Sequence, residues 1–457
     1  MAGIGWRLER LIDQGVSGAT AAYATGAAVM ALPWVLTTAV LVSLPMVIGP
    51  GFADLVTAGT VVTISHAVAL LVTGPTQVIL SRYAADRLYE RRFRAIAAPL
   101  CRGLGATFLI CAGLSALVLG ALHLPPRAAL WGAVLSAAVG AQWTALSVGN
   151  GLCSPTRVLG AVAAGSVTSF LAASLLTPVF GISGYLYGLI VGQTMTLVIL
   201  LVGIIQALPD RVDEQAALLP AFRDYAALGG AGLAFNASLW ADKLVAWWLV
   251  GGEAAAQHAG ASTIAWFSTI PCLAWAFVEV ETTFHRRFRG FYRALEGGAS
   301  LPELRRGLET LRDEAARLLR GAGCVQAGVT ALLLLGAEPW ARGLGLPPEA
   351  ILPYRLLLVG TGMQAVSLLG LILLYYFDLR REALLATAGF LLLITALTVA
   401  ACEARLPPSA GTALGCSFGA VLIWWHVFRG VEEVLQRTLL GQPYGAERRR
   451  KRFRRRS

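Results

Sequence analysis

Apolar stretches close to the ~20 residues that an α-helix needs to cross the hydrocarbon core of a bilayer recur along the whole chain, separated by shorter polar or basic segments. They fall at 27–47, 55–79, 95–122, 128–148, 158–179 and 185–207, and then at 227–250, 261–278, 322–335, 354–376, 383–401 and 413–427. The pattern predicts an all-α polytopic membrane protein of about 12 transmembrane helices. The segments beginning at Ala322 and Ala413 are short and must draw turns from their flanks. Pro33 and Pro45, with Gly26 before them, predict a bend in the first helix, because each proline removes a backbone hydrogen bond.

The loops between these stretches repeat. Cut near Pro209, each half has a long basic loop after its second span (81–94 and 285–320) and a short loop after its fourth (151–157 and 377–382). The reading is an N-terminal six-helix lobe (1–209), a C-terminal six-helix lobe (210–430) and a basic tail (431–457). An even number of spans per half gives both halves the same orientation, so they are parallel repeats about an axis along the membrane normal, with a transport cavity expected between them. Within the longer loop, Leu301, Leu304, Leu308, Leu311, Ala315 and Leu318 share one helix face, and Ser300 with Glu303 makes a capping box. Two readings of this helix, 300–320, stand: it lies on the inner membrane surface or a cytosolic partner, or it simply lengthens the ninth span.

Composition agrees with the pattern. Hydrophobic residues make up 56% of the 457 and charged residues only 14%, against roughly 25% in soluble domains, which excludes a soluble enzyme. The net charge of +11 raises the question of nucleic acid, and the distribution answers it. With both termini in the cytosol, 32 of the 37 basic residues fall on the inner side; only Arg127, Arg342, Arg355 and Arg405 lie outside, and Lys243 lies in a span. That is the positive-inside pattern. The arginine-rich stretch 448–456 suits anionic lipid, and nucleic acid is not expected. Met1 to Asp13 is too charged to begin a signal peptide, so the first span is read as retained. The seven cysteines are scattered, without metal-ligand spacing. No GxxxxGK[ST] or HExxH occurs, and the one GxSxG match, GCSFG at 415–419, lies inside the last apolar span, so neither ATP-driven transport nor proteolysis has a motif to stand on, no cofactor is implied, and the chain reads as a non-enzyme.

A few polar residues inside the spans stand out, since a charge at a helix centre costs about 2.5–3.5 kcal/mol on insertion scales. In the seventh span Asp242 and Lys243 are adjacent, with Asn236 and Trp240 before them. Neighbours on a helix point about 100° apart, so each is expected to pair with another span rather than with the other. A structural ion pair between helices and a cavity lining are both open. Glu279 and Glu281, at the inner end of the eighth span, precede His285, Arg286 and Arg287; they read either as a local salt-bridge network or as a proton or sodium handle. Asp54 and His66 are weaker candidates. Tryptophans concentrate in these two helices (Trp240, Trp247, Trp248, Trp266 and Trp275); Trp247 and Trp248 read as an interfacial belt, whereas the deeper Trp240 is open to belt, core or sugar stacking.

Four stretches carry a family resemblance: MAGIGWRLERL at the start, SRYAADRLYERRF (81–93), VEVETTFHRRFRGFYRALEGGASLPEL (278–304) and YYFDLRREALLATAGFLLL (375–393). They resemble the PelG family of Pel exopolysaccharide transporters, in the multidrug/oligosaccharidyl-lipid/polysaccharide exporter superfamily, over nearly the whole chain. The resemblance implies the MATE-like fold of two six-helix lobes in a bacterial inner membrane, and export of an N-acetylhexosamine polymer. A lipid-linked oligosaccharide flippase and a non-transporting synthase scaffold are the alternatives. It also implies a PelF-like cytosolic glycosyltransferase and PelD- and PelE-like membrane proteins as partners. Arg82, Asp86, Arg87, Arg286, Arg289 and Tyr292 lie in the matching stretches and are the docking candidates; Glu281 lies there too. Two features depart from the family pattern: Leu32 precedes Pro33 where glycine is common, and the arginine-rich tail is an extension.

Overall fold

The computed structural model describes residues 5–49, 54–208, 213, 218–343 and 346–440. Among these, long helices match every expected span: α1 (Val16–Ile48), α2 (Leu55–Tyr89), α3 (Ala97–Ala121), α4 (Pro126–Leu152), α5 (Pro155–Phe180), α6 (Ile182–Ala207), α7 (Ala226–Leu249), α8 (Gly252–Glu296), α9 (Leu301–Leu335), α10 (Ile351–Tyr376), α11 (Arg380–Glu403) and α12 (Pro408–Leu440). Eleven are long and apolar enough to cross a membrane. The other, α7, is 24 residues long and carries the Asp242 and Lys243 pair. The two short spans do borrow turns: α9 begins 21 residues before Ala322, and α12 continues into the first residues of the expected tail. The expected lobe boundary at Pro209 and the arginines at 448–456 lie outside the described residues.

Helix boundaries follow local chemistry. Prolines open α4, α5 and α9 at the first turn, where their missing N–H has no intrahelical partner to lose. At the start of α9 the Ser300 backbone N–H and its hydroxyl both donate to Glu303, each at 2.8 Å. Helix α8 is interrupted twice, by a 3₁₀ turn at Phe267–Thr269 and by a π-turn at Val280–Phe284; π-turns gather at functional positions.

Packing shows the repeat directly. Helices α1 and α5, α2 and α3, α2 and α4, α3 and α4, α4 and α6, and α5 and α6 are in contact; the same six pairings recur six helices later, from α7 with α11 to α11 with α12. Helices α4 and α10 occupy the two centres, each 72% buried over its apolar window. A stripe of glycines closes each lobe. Gly184, Gly188 and Gly192 of α6 meet the backbone of α5, and Gly411, Gly415 and Gly419 of α12 meet α11; a Cβ at Gly188 would lie 2.3 Å from Ala173 N, and one at Gly415 2.6 Å from Ile394 Cα. Small residues at this spacing let helices approach closely where lipid offers no hydrophobic drive for association.

The helix expected at 300–320 is the start of α9. Most of its apolar face is packed inside the protein: Leu304, Leu311, Ala315 and Leu318 are buried in one cluster with Phe291 of α8 and Val431 of α12. The apolar stripe faces the α8 extension because the tight turn at Gly297 and Gly298 folds the two helices back on each other.

Candidate functional site between the lobes

Two crossings join the lobes, and the repeat exchanges them: α1 against α8, and α2 against α7. At the second, Gly74 and Gly232 bring the backbones together; a Cβ on Gly74 would sit 2.7 Å from the Gly232 carbonyl oxygen, and one on Gly232 2.4 Å from that of Gly74. One turn on, Asn236 donates from Nδ2 to the Leu70 carbonyl at 2.7 Å. At the first crossing Gly26 packs on Ala274, Phe277 and Val278, and Trp34 meets Phe267 with ring centroids 5.2 Å apart. The glycine contacts lie toward the ends of the helices nearer the basic loops, whereas Trp34 and Phe267 meet past the middle, on the far side.

Nearer still to that end, a short amphipathic helix precedes each lobe and grips the other. The helix Gly5–Ile12, before α1, buries Leu8 with Ala22, Leu11, Ile12 and Phe277 of α8, and Glu9 accepts from Arg286 Nε and Nη2 at 3.2 and 2.9 Å. The helix Leu218–Asp224, before α7, buries Ala221 with Ile79 of α2, and Tyr225 and Leu228. The Tyr225 hydroxyl donates to Asp86 Oδ2 at 2.5 Å. Burial, and then the Asp86 carboxylate, push this phenol up to about 12. Arg82 spans Asp86 on its own helix (3.2 Å) and Asp378 in the other lobe (3.7 Å). Arg380 holds Asp378 with two donors at 2.9 and 3.0 Å, donates to the Asp224 carbonyl at 2.8 Å, and lies over the Tyr225 ring. Sequence reasoning missed both clasps, although Leu8, Leu11 and Ile12 stand at the i, i+3, i+4 spacing that announces one.

The charges within the spans divide three ways. Asp242 is fully buried and accepts from Lys243 Nζ at 3.1 Å while lying 3.0 Å from His258 Nε2 of α8. The expectation that Asp242 and Lys243 each seek another helix is therefore half wrong. Lys243 curls back along its own helix, reaching the Leu239 carbonyl at 2.9 Å and the neighbouring carboxylate, because a four-carbon stem bridges the 100° that separates adjacent Cβ atoms. Glu279 is not held by the arginines that follow it in sequence; Arg317 of α9 donates to it at 2.6 Å, and Tyr23 of α1 at 3.2 Å. Glu281, inside the π-turn and buried, accepts from the Tyr376 hydroxyl at 3.0 Å. Trp240 is half-buried on α7, Trp247 and Trp248 are exposed, and His66 lies 2.8 Å from the Val62 carbonyl through Nδ1.

A protein-family model described as "PelG: Putative exopolysaccharide Exporter (EPS-E)" matches residues 1–438. The chain belongs to the PelG family. It is thus a multi-pass membrane protein of an exopolysaccharide exporter family. Comparison with curated proteins finds no match. Among solved structures, an inward-facing multidrug resistance MATE family transporter of the MOP superfamily superposes with a TM-score of 0.63 at 15% identity, covering 90% of this chain and 99% of that one. The outward-facing form gives 0.60 at 15%, covering 90% and 96%, and a MATE in the straight conformation 0.61 at 15%, covering 95% and 97%. These likenesses carry the fold, and the MATE-like architecture expected from the sequence is the one found.

On this PelG-family chain the docking candidates have separate fates. Arg82, Asp86 and Arg286 are engaged in the clasps. Arg87 pairs with Glu90 at 2.8 Å, and Tyr292 packs between Phe288 and Phe291. Arg289 faces solvent.

Proposed function

We propose that the chain carries an N-acetylhexosamine polymer outward across the bacterial inner membrane, through the seam between its lobes, with the basic end and both termini in the cytosol. The observation that supports this most is that the two glycine crossings and both clasps lie toward the ends of α1, α2, α7 and α8 nearer the basic loops. A molecule joined there opens by parting the two clasps. Beyond the Gly74 and Gly232 crossing, Trp240 and Lys243 follow Asn236 on α7 at one and two turns; an indole face suits the apolar face of a pyranose and an ammonium its hydroxyls. Asp242, tied to Lys243 and His258, keeps that ammonium in place. Glu279 and Glu281 flank the inner mouth as the candidate proton handles, and Glu281 is the better of the two because its partner among the described residues is a neutral hydroxyl. A PelF-like glycosyltransferase supplies the chain at the cytosolic face, with PelD- and PelE-like membrane proteins beside it.

Proteoliposomes holding the protein with its glycosyltransferase outside, fed UDP-N-acetylhexosamine, are expected to accumulate polymer protected from external hydrolase. Trp240→Ala should lower the protected fraction while total synthesis holds. Protection that is equal without this protein rules the proposal out, and protection that needs added lipid-linked sugar converts it to a flippase.

A further inference from the structure

The repeat is broken at the basic end. In the first lobe α2 passes to α3 across a few residues, 90–96, whereas in the second α8 and α9 continue as a helical hairpin, His285–Glu296 against the start of α9. At 1.5 Å per residue the α9 leg from Leu301 to Leu318 rises roughly 25 Å from the apolar part of the helix, too far for its tip to touch lipid. Between the two legs lies a groove of about 210 Å³ lined by Arg287, Gly290, Phe291, Ala294, Leu304 and Leu311, with Glu303 at its rim. The hairpin from 285 to 317 carries eight arginines against five carboxylates, and one of the five, Glu314, is wholly buried.

Arg287 is both a wall of the groove and the end of an ionic chain. Its Nη1 lies 2.6 Å from Glu314 Oε2. Glu314 also accepts from Arg317 Nε at 2.9 Å, Arg317 donates to Glu279 at 2.6 Å, and Glu279 accepts from Tyr23 in the other lobe. The chain runs from the hairpin to the interlobe seam.

We propose that the groove docks an acidic segment of a cytosolic protein. A large apolar side chain of that segment sits against Gly290, Ala294 and the accessible edges of Phe291 and Leu304, and a flanking carboxylate takes Arg287 away from Glu314. Charge complementarity selects the partner: Arg287 in the groove and the arginine excess of the surrounding hairpin, beside apolar side chains, favour a carboxylate-flanked anchor over a polyanion lacking apolar side chains. A buried carboxylate cannot stay uncompensated, so Glu314 draws Arg317 from Glu279, which is left as an uncompensated carboxylate beside Tyr23 at the seam. Docking thereby loosens the seam. This rests on the reading of the basic end as cytosolic.

The test places the photo-crosslinking residue p-benzoylphenylalanine at Ala294, exposed within the groove, in the full-length protein in cells. The expected adduct joins one soluble protein through a segment with Asp or Glu beside a large apolar residue. A synthetic peptide of that segment then binds the full-length protein in nanodiscs, about tenfold more weakly for Arg287→Gln and for Gly290→Trp. The tryptophan fills the groove from a position where a Cβ meets nothing within 4 Å, so it does not depend on the ion pair. Tyr23→Phe, which removes the seam contact beforehand, binds the peptide at least as tightly as the native protein, while the peptide no longer changes a spin-label distance across the seam. An adduct with lipid, nucleic acid or a second copy, no adduct, or peptide binding indifferent to Arg287→Gln overturns the proposal. Polymer protection in the proteoliposome assay is read separately, so export can stand where docking falls.

Discussion

Asp242 is a full charge with no exposure, held by an ammonium and an imidazole. Removing one member of such a set strands the others, at a cost of about 3–5 kcal/mol, while replacing the set with apolar groups of similar size is close to neutral. Asp242→Leu should therefore unfold at markedly lower temperature in detergent, and Asp242→Leu with Lys243→Met should recover most of the loss. Equal melting of the single and double variants would contradict the pairing. Tyr225 tests the other clasp: its phenol should ionise near pH 12, and Asp86→Asn should bring it back toward 10, because removing the carboxylate removes the charge that opposes phenolate formation. Difference absorbance against Tyr225→Phe reads this directly. At this scale hydropathy alone marked Asp242, Lys243, Glu279 and Glu281 as out of place. Their partners were hidden, because His258, Arg317 and Tyr376 are distant in sequence or on other helices, and a lone histidine reads as core.

Among elements, the long helices were legible end to end, since lipid demands a continuous apolar stretch and satisfied backbone groups. The clasp helices Gly5–Ile12 and Leu218–Asp224 were not, because eight and seven residues make only two turns and their apolar residues are few. Helices this short are stable only when packed, and Leu8 supplies that packing. Leu8→Asp should free the first clasp, so that maleimide labels a cysteine placed at Ala22, which is fully buried in the native protein; unchanged labelling would mean the helix is held by something else. The glycine stripes give a sharper expectation. Gly188→Ala and Gly415→Ala should each destabilise their lobe by about 1–3 kcal/mol, visible in unfolding midpoints, whereas Gly113→Ala, whose Cβ would meet nothing within 4 Å, should not.

At the scale of the molecule, loop lengths and arginine placement revealed two parallel lobes before any contact was known. Where the lobes touch was not legible, because the crossings are made by glycines and by side chains from opposite ends of the chain: Gly26 with Ala274, Gly74 with Gly232, Arg82 with Asp378. Export through the seam requires those contacts at the basic end to part. The most direct measurement cross-links Arg82→Cys to Asp378→Cys with a short bismaleimide in cells, with the exposed Cys101 and Cys324 replaced by serine. Secretion of polymer should stop in proportion to the cross-linked fraction and persist in each single-cysteine control. Secretion that continues when the pair is fully cross-linked would show that the polymer takes another route.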